Sequence, residues 1–130
     1  MFYLDSAAIV KLVHAEAESQ ALRKWLDARA ETGWVSSVLA EIETSRVLAR
    51  HAPQAIGRLH PVLDLIELIE IDSCIRILAQ TVKPAAVRTL DALHLATALR
   101  RKDEITSLVT YDKRLADAAR DSGLPVDIPT

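Results

Sequence analysis

Short apolar runs alternate with longer stretches of helical periodicity along almost the whole chain, and this alternation limits the fold more than any other feature. The runs that predict strands are FYL at 2–4, WVSS at 34–37, the end of LIELIEI at 65–71, SLVT at 107–110 and VDI at 126–128. Helical patterns fill the segments between them. The sequence therefore predicts an α/β sandwich around a small parallel sheet, with helices in the majority.

Length and composition narrow the class of protein. At 130 residues the chain is expected to form one domain over 1–130. The single Cys74 excludes an internal disulfide and a cysteine-based zinc cage. No segment approaches an apolar run of membrane length, so we expect a cytoplasmic protein without a membrane partner. The net charge of −2 argues against a protein that coats nucleic acid through bulk positive charge.

Three aspartates occupy comparable places in the predicted pattern. Asp5 follows the first strand, Asp112 follows the SLVT strand, and Asp91 lies in the first turn of a helix. Strand carboxyl ends and helix N-termini meet at one edge of a parallel sheet, where ligands bind. Each aspartate has an alternative interpretation as a helix cap. That alternative is weakest for Asp5, because Ser6 is expected to cap the first helix unaided.

Glu43 presents a different case, because it lies in the middle of a predicted helix. Its neighbours Ile42, Val47 and Leu48 suggest packing on the sheet, so Glu43 needs a partner, either an arginine or a metal. Glu41 competes for the same role but is turned roughly 200° around the helix, so both cannot enter one pocket. An ion pair between Glu43 and the following arginines is the alternative.

The other polar clusters are better explained as solvent-exposed or structural residues than as catalytic or metal-binding sites. Asp64, Glu67 and Glu70, with Asp72 close by, have the spacing of a solvent-exposed face. The four histidines lack ligand-like spacing, and no glycine-rich phosphate loop is present. His94 shares a helix face with Asp91, and we expect it in the core or supporting the site.

Four segments together resemble the PIN-domain ribonucleases, specifically the VapC toxins of bacterial type II toxin–antitoxin pairs. They are FYLDSAAIVKL at 2–12, SSVLAEIETSRVLAR at 36–50, TLDALHLATAL at 89–99 and TYDKRLADAA at 110–119. The resemblance implies a PIN-like three-layer α/β/α sandwich with a mostly parallel sheet of four to five strands. It also implies an endoribonuclease whose catalytic and metal-binding acids are Asp5, Glu43, Asp91 and Asp112.

The resemblance also assigns supporting roles. Glu43 is preferred to Glu41 because Arg46 and Arg50 follow it at the family's offsets. Ser6 and Thr110 match small hydroxyl positions that could orient a carboxylate or a water. The implied cofactor is Mg²⁺ or Mn²⁺, which takes hard oxygen ligands and keeps several waters.

The family further implies a homodimer, an RNA substrate and a cognate VapB-type antitoxin that blocks the site. Candidate residues for an apolar antitoxin groove are Val10, Val13, Leu22 and Trp25, with the core as the alternative. Candidate phosphate ligands are Lys11, Arg46 and Arg88, with ion pairs as the alternative. Two other functions stay open: a catalytically silent PIN-like module that binds RNA or protein, and a housekeeping nuclease that processes RNA or cuts DNA.

Overall fold

In the computed structural model, which describes residues 1–130, five strands form one central sheet. The strands are β1 (Phe2–Leu4), β2 (Trp34–Ser37), β3 (Ile66–Ile69), β4 (Ser107–Val109) and β5 (Val126–Asp127). Their order is β3-β2-β1-β4-β5, and every neighbouring pair is parallel. The predicted fold class and strand positions are confirmed. Because β1 lies in the centre, the chain builds the sheet outward in both directions.

Seven α-helices surround the sheet. They are α1 (Ser6–Val13), α2 (Ser19–Asp27), α3 (Val38–His51), α4 (Leu59–Leu63), α5 (Ser73–Ala79), α6 (Thr89–Arg100) and α7 (Lys113–Asp121). The sequence pattern predicts one helix from Pro53 to about Leu65. This prediction is wrong, because a 3₁₀ segment, Pro53–Arg58, precedes the short α4. Gly57 and Pro61 explain the break, because both residue types disfavour a continuous α-helix. None of the helices is both long and apolar enough to cross a lipid bilayer.

The two faces of the sheet support separate hydrophobic cores, because successive strand side chains point in opposite directions. Phe2 and Leu4 of β1 pack with residues of α1 to α4. Tyr3, between them, packs with residues of α6 and α7. The three-layer arrangement predicted from the family resemblance follows directly from this alternation.

Helix α3 packs as predicted at Val47 and Leu48 but not at Ile42. Ala40, Thr44 and Leu48 are its buried positions, whereas Ile42 is 58% exposed. Buried residues four apart in sequence trace a nearly straight stripe along a helix, and Ile42 lies away from that stripe. Glu43, beside Thr44, therefore lies at the margin of the buried face.

The predicted antitoxin groove on the first two helices is wrong for three of its four residues. Val10, Val13 and Leu22 are buried in the core. Trp25 is half-buried, with its ring centroid 4.6 Å from that of Phe2. The alternative interpretation of these residues as core is therefore correct, since the helices bury them against the sheet.

Candidate active site

The central strand pair brings the two ends of the chain together at one edge of the sheet. Leu4 of β1 is in register with Val109 of β4, so Asp5 and Thr110 leave the sheet side by side. The Thr110 hydroxyl donates a hydrogen bond to Oδ2 of Asp5. The same Thr110 oxygen accepts a bond of 3.0 Å from the backbone N–H of Asp112. Thr110 thus orients a carboxylate, as predicted.

All four predicted acids line one cleft of about 450 Å³ at this edge. The cleft is lined by Asp5, Ser6, Ala7, Val10, Lys11, Glu16, Glu43, Val47, Asp91, His94, Tyr111 and Asp112. Glu41, the rival on α3, is exposed and does not line the cleft. Asp64, Glu67 and Glu70 are also exposed and lie elsewhere, as predicted.

Two of the acids also cap helices. Oδ1 of Asp5 accepts a hydrogen bond of 2.9 Å from the backbone N–H of Ala8, so Asp5, not Ser6, is the N-cap of α1. Oδ1 of Asp112 accepts bonds of 2.8 and 3.2 Å from the N–H groups of Arg114 and Leu115. Capping therefore does not compete with a place in the cleft. Both oxygens of Asp5 keep a second lone pair, and Oδ2 of Asp112 accepts no hydrogen bond from the protein, so both side chains can still bind another ligand.

Asp91 is the acid without a protein partner. It lies in the first turn of α6, is half-buried, and its carboxylate forms no hydrogen bond or ion pair with the protein. Burial and the nearby charge of Asp112 raise the pKa of Asp91 above its ordinary value. A half-buried carboxylate with no donor is unfavourable by itself, so this site favours the approach of a cation.

Glu43 is held by two side chains that approach from other elements. Its Oε1 accepts a bond of 2.5 Å from the Ser6 hydroxyl and lies 2.6 Å from Nε2 of His94. Burial favours the neutral carboxyl, but the bonds from His94 and Ser6 outweigh it and lower the pKa of Glu43. The alternative ion pair with Arg46 is wrong, because Arg46 is exposed and lies in no ion pair. Oε2 of Glu43 has no hydrogen-bond partner.

His94 connects Glu43 to the interior of the protein. The ring is only 2% exposed, and its Nδ1 lies 2.7 Å from the hydroxyl of the fully buried Tyr3. An ionised carboxylate only accepts, so Nε2 carries the proton that bonds to Glu43. In the neutral ring, Nδ1 then accepts from Tyr3, whose pKa burial raises. The supporting place predicted for His94 is confirmed.

The sequence interpretation missed Tyr3. A signal existed, since a tyrosine in the middle of a short central strand must place its hydroxyl next to a buried partner. The interpretation also missed Glu16 and Tyr111, which line the cleft. Both come from connections outside the helices and strands, where periodicity gives no information.

The donor set of the cleft suits a hard divalent cation. Burial raises the pKa of Asp5, and the charge of Asp112 raises it further. Repulsion among these carboxylates is relieved by a positive ion. No three acidic or histidine side chains are close enough to form a ready-made metal cage. Mg²⁺ fits such an open arrangement, because it is usually held by one or two carboxylates, several waters and substrate phosphates.

The cationic residues near the site differ in their partners. Nζ of Lys11 lies 2.8 Å from Glu18 and 3.6 Å from Glu16, and also 4.8 Å from the centre of the Tyr111 ring. The ion-pair alternative is therefore correct for Lys11. Arg88, in contrast, is exposed and pairs with no acid. Positive charge is available on one side of the cleft and neutralised on the other.

Comparison with known proteins agrees with this architecture. The PIN domain family model matches residues 2–121. Ribonuclease VapC35 of Mycobacterium tuberculosis is 43% identical over 131 residues, covering 99% of this chain and 97% of that protein. The VapBC2 structure from Rickettsia felis, bound to a promoter DNA fragment, has a TM-score of 0.76 at 16% identity, covering 98% of each chain.

A toxin–antitoxin complex from Klebsiella pneumoniae gives a TM-score of 0.73 at 18% identity, covering 100% of this chain and 98% of that one. At such low identity these two structures support the fold alone. The family model and the full-length relative support more, since both extend over the segments that carry the four acids. The chain belongs to the PIN-domain family and, within it, to the VapC proteins.

Proposed function

We propose that this single domain is a metal-dependent endoribonuclease that acts as the toxin of a toxin–antitoxin pair. One observation carries the proposal: four acids from distant parts of the sequence line one cleft, and Asp91 among them lacks any protein partner. The pKa values of Asp5 and Asp91 are raised, because the charged forms of these carboxylates are unfavourable in the cleft without a cation. Their presence therefore favours a metal-dependent enzyme over the catalytically silent module.

Asp5 and Asp91 would hold Mg²⁺ or Mn²⁺ most directly, with Glu43 and Asp112 completing the set directly or through water. When bound, the ion supplies an activated water and neutralises charge on the scissile phosphate and the leaving oxygen. The protein itself positions the carboxylate oxygens. Thr110 and the cap of α1 fix both oxygens of Asp5. The buried His94 and Ser6 fix one oxygen of Glu43 and leave the other free to accept a proton or a water.

The proposed partners extend beyond the RNA substrate. A VapB-type antitoxin is a further proposed partner, because two structural neighbours are a VapBC complex and a toxin–antitoxin complex. In this proposal the antitoxin blocks the cleft. A homodimer remains a prediction from the family resemblance. The core positions of Val13 and Leu22 exclude them as antitoxin contacts, whereas Val10 lines the cleft.

Cleavage of a panel of tRNA and rRNA in Mg²⁺, in Mn²⁺ and in EDTA tests the proposal. We expect cleavage with either metal and none with EDTA. Glu43→Gln should lower the cleavage rate by at least about a hundredfold, as expected for a group that positions or deprotonates water. Glu41→Gln is the matched control, because Glu41 is exposed on the same helix and outside the cleft.

Three results would overturn the proposal or one part of it. Equal cleavage with metal and with EDTA would exclude the metal-dependent chemistry. Equal loss of activity in Glu43→Gln and Glu41→Gln would show that the cleft is not the site. Cleavage confined to precursor RNAs, without inhibition of growth on expression, would replace the toxin with a housekeeping nuclease.

A further inference from the structure

A second groove opens from the carboxylate cleft on the side of α7. Its volume is about 760 Å³, and it shares Asp91 and Asp112 with the cleft. One wall comes from the segment 84–88 before α6, and the other from α7. Because the two cavities meet at these acids, they form one path that crosses the candidate metal site.

Three free cations lie where the groove meets the acids. Arg88 precedes the first turn of α6, and Lys113 and Arg114 form the start of α7, directly after Asp112. All three line the groove, are exposed, and pair with no acid within 4.0 Å. Unpaired, exposed cations in a groove are suited to the phosphates of a nucleic acid backbone.

The opposite end of the path is lined by an acid and a paired lysine instead of free cations. Glu16, in the connection between α1 and α2, lines the carboxylate cleft there. Lys11, the one cation at that end, is already paired with Glu16 and Glu18. Along the lining of the cleft, a polyanion approaching this side meets Glu16 and a lysine that is already paired. The charges flanking the site are therefore asymmetric.

We propose that a single RNA strand crosses the site asymmetrically, with its backbone phosphates held by Arg88, Lys113 and Arg114 in the groove beside α7. This inference rests on the proposed function. The backbone crosses the first turn of α7 and does not follow the helix, because Asp117 and Asp121 line the groove farther along it. The connection between α1 and α2 carries no backbone phosphate.

Salt-dependent binding tests the groove without requiring cleavage. In an Asp5→Asn background, which prevents turnover and leaves the groove unchanged, a fluorescent single-stranded RNA 20-mer is titrated with protein in Mg²⁺ at several salt concentrations. For single strands, the slope of log K against log salt is negative, and each lost phosphate contact makes it less negative by about 0.7. In the triple variant Arg88→Gln, Lys113→Gln, Arg114→Gln the slope should therefore be less negative by up to about 2.

A matched triple variant removes the same charge elsewhere. Lys24→Gln, Arg50→Gln and Lys102→Gln are exposed, unpaired positions that line neither cavity, and their slope should equal that of the background protein. Equal slopes in the two triple variants would overturn the inference. So would a groove variant that binds RNA normally but loses a co-expressed antitoxin, since the groove would then hold a protein. Wild-type cleavage, measured separately, decides the proposed function.

Discussion

The four acids of the cleft form two pairs that differ in what else they do. Asp5 and Asp112 cap α1 and α7, so the fold uses them even when no ligand is bound. Asp91 and Glu43 lie inside helices and satisfy no backbone group. Asp5 and Asp112 therefore contribute to the stability of the fold, whereas Asp91 forms no hydrogen bond or ion pair that would stabilise it. Variants of the two pairs should therefore separate stability from activity.

The largest expected effect comes from Asp91→Asn. Cleavage should fall by at least about 10²-fold, because a group that holds the reacting charges is lost. The melting temperature of the metal-free protein should stay constant or rise, since a carboxylate without a donor becomes a neutral amide. Cleavage assays and calorimetry in EDTA check both. A clear drop in melting temperature would break the distinction between the pairs.

His94→Ala should give the next largest effect. Loss of the group that orients Glu43 should lower cleavage by about 10–100-fold and raise the Mg²⁺ concentration needed for half-maximal rate. His94→Gln should recover part of the activity, because its amide can still donate to Glu43. Rates are compared per folded protein, since this buried ring also fills space. An unchanged Mg²⁺ requirement in both variants would show that His94 contributes only by packing and does not orient Glu43.

Asp112→Ala should separate the capping role from the chemical one. Loss of the α7 cap should cost about 1 kcal/mol of stability and about 4 °C in melting temperature for a chain of this size. Asp112→Asn should keep most of that stability, because asparagine also caps well. Asp117→Ala, on the same helix but outside its first turn, is the control. Equal melting temperatures for Asp112→Ala and Asp117→Ala would show that the Asp112 cap does not stabilise the protein.

The smallest expected effect is on the pH dependence of stability in EDTA. The contributions of Asp91 and Glu43 to stability should change with pH in opposite directions. The folded pKa of Asp91 is raised above 3.8, so its stabilisation is present below 3.8 and is lost as pH rises through the folded value. The folded pKa of Glu43 is below 4.5, so its stabilisation is present above 4.5 and is lost as pH falls through the folded value.

Denaturant titrations between pH 3 and 7 check these signs. Relative to Asp91→Asn, the wild-type protein should lose stability as pH rises. Relative to Glu43→Gln, it should gain stability over the same range. Added Mg²⁺ should cancel the first trend, because a bound cation offsets the charge of Asp91. Parallel trends for both variants would contradict the contrast between a supported and an unsupported carboxylate.

The fold was predictable because its signals are local. Short apolar strands, helical periodicity and capping aspartates identify the elements and their order. The meeting of Asp5, Asp91 and Asp112 in one cleft was predictable from their places after strands and at helix starts together with the family resemblance. Glu43 depended most on that resemblance, because position alone does not show which side of α3 is buried.

The partners of these acids were harder to predict, because they depend on contacts between distant elements. Ser6 looked like a cap, but Asp5 takes that role and leaves the Ser6 hydroxyl free to donate to Glu43. Arg46 looked like the partner of Glu43, but the burial of His94 beside α3 places a ring nitrogen there instead. Spacing along one helix cannot reveal a donor that arrives from another.

The parallel register of β1 with β4 has a consequence for the timing of synthesis. Asp5 leaves the ribosome early, yet its neighbours Thr110 and Asp112 are translated more than a hundred residues later. A nascent chain that stops before β4 has one central strand without its partner and lacks Asp112, one of the four acids. A translation product that ends before β4 therefore contains neither Thr110 nor Asp112, so it cannot assemble the complete cleft.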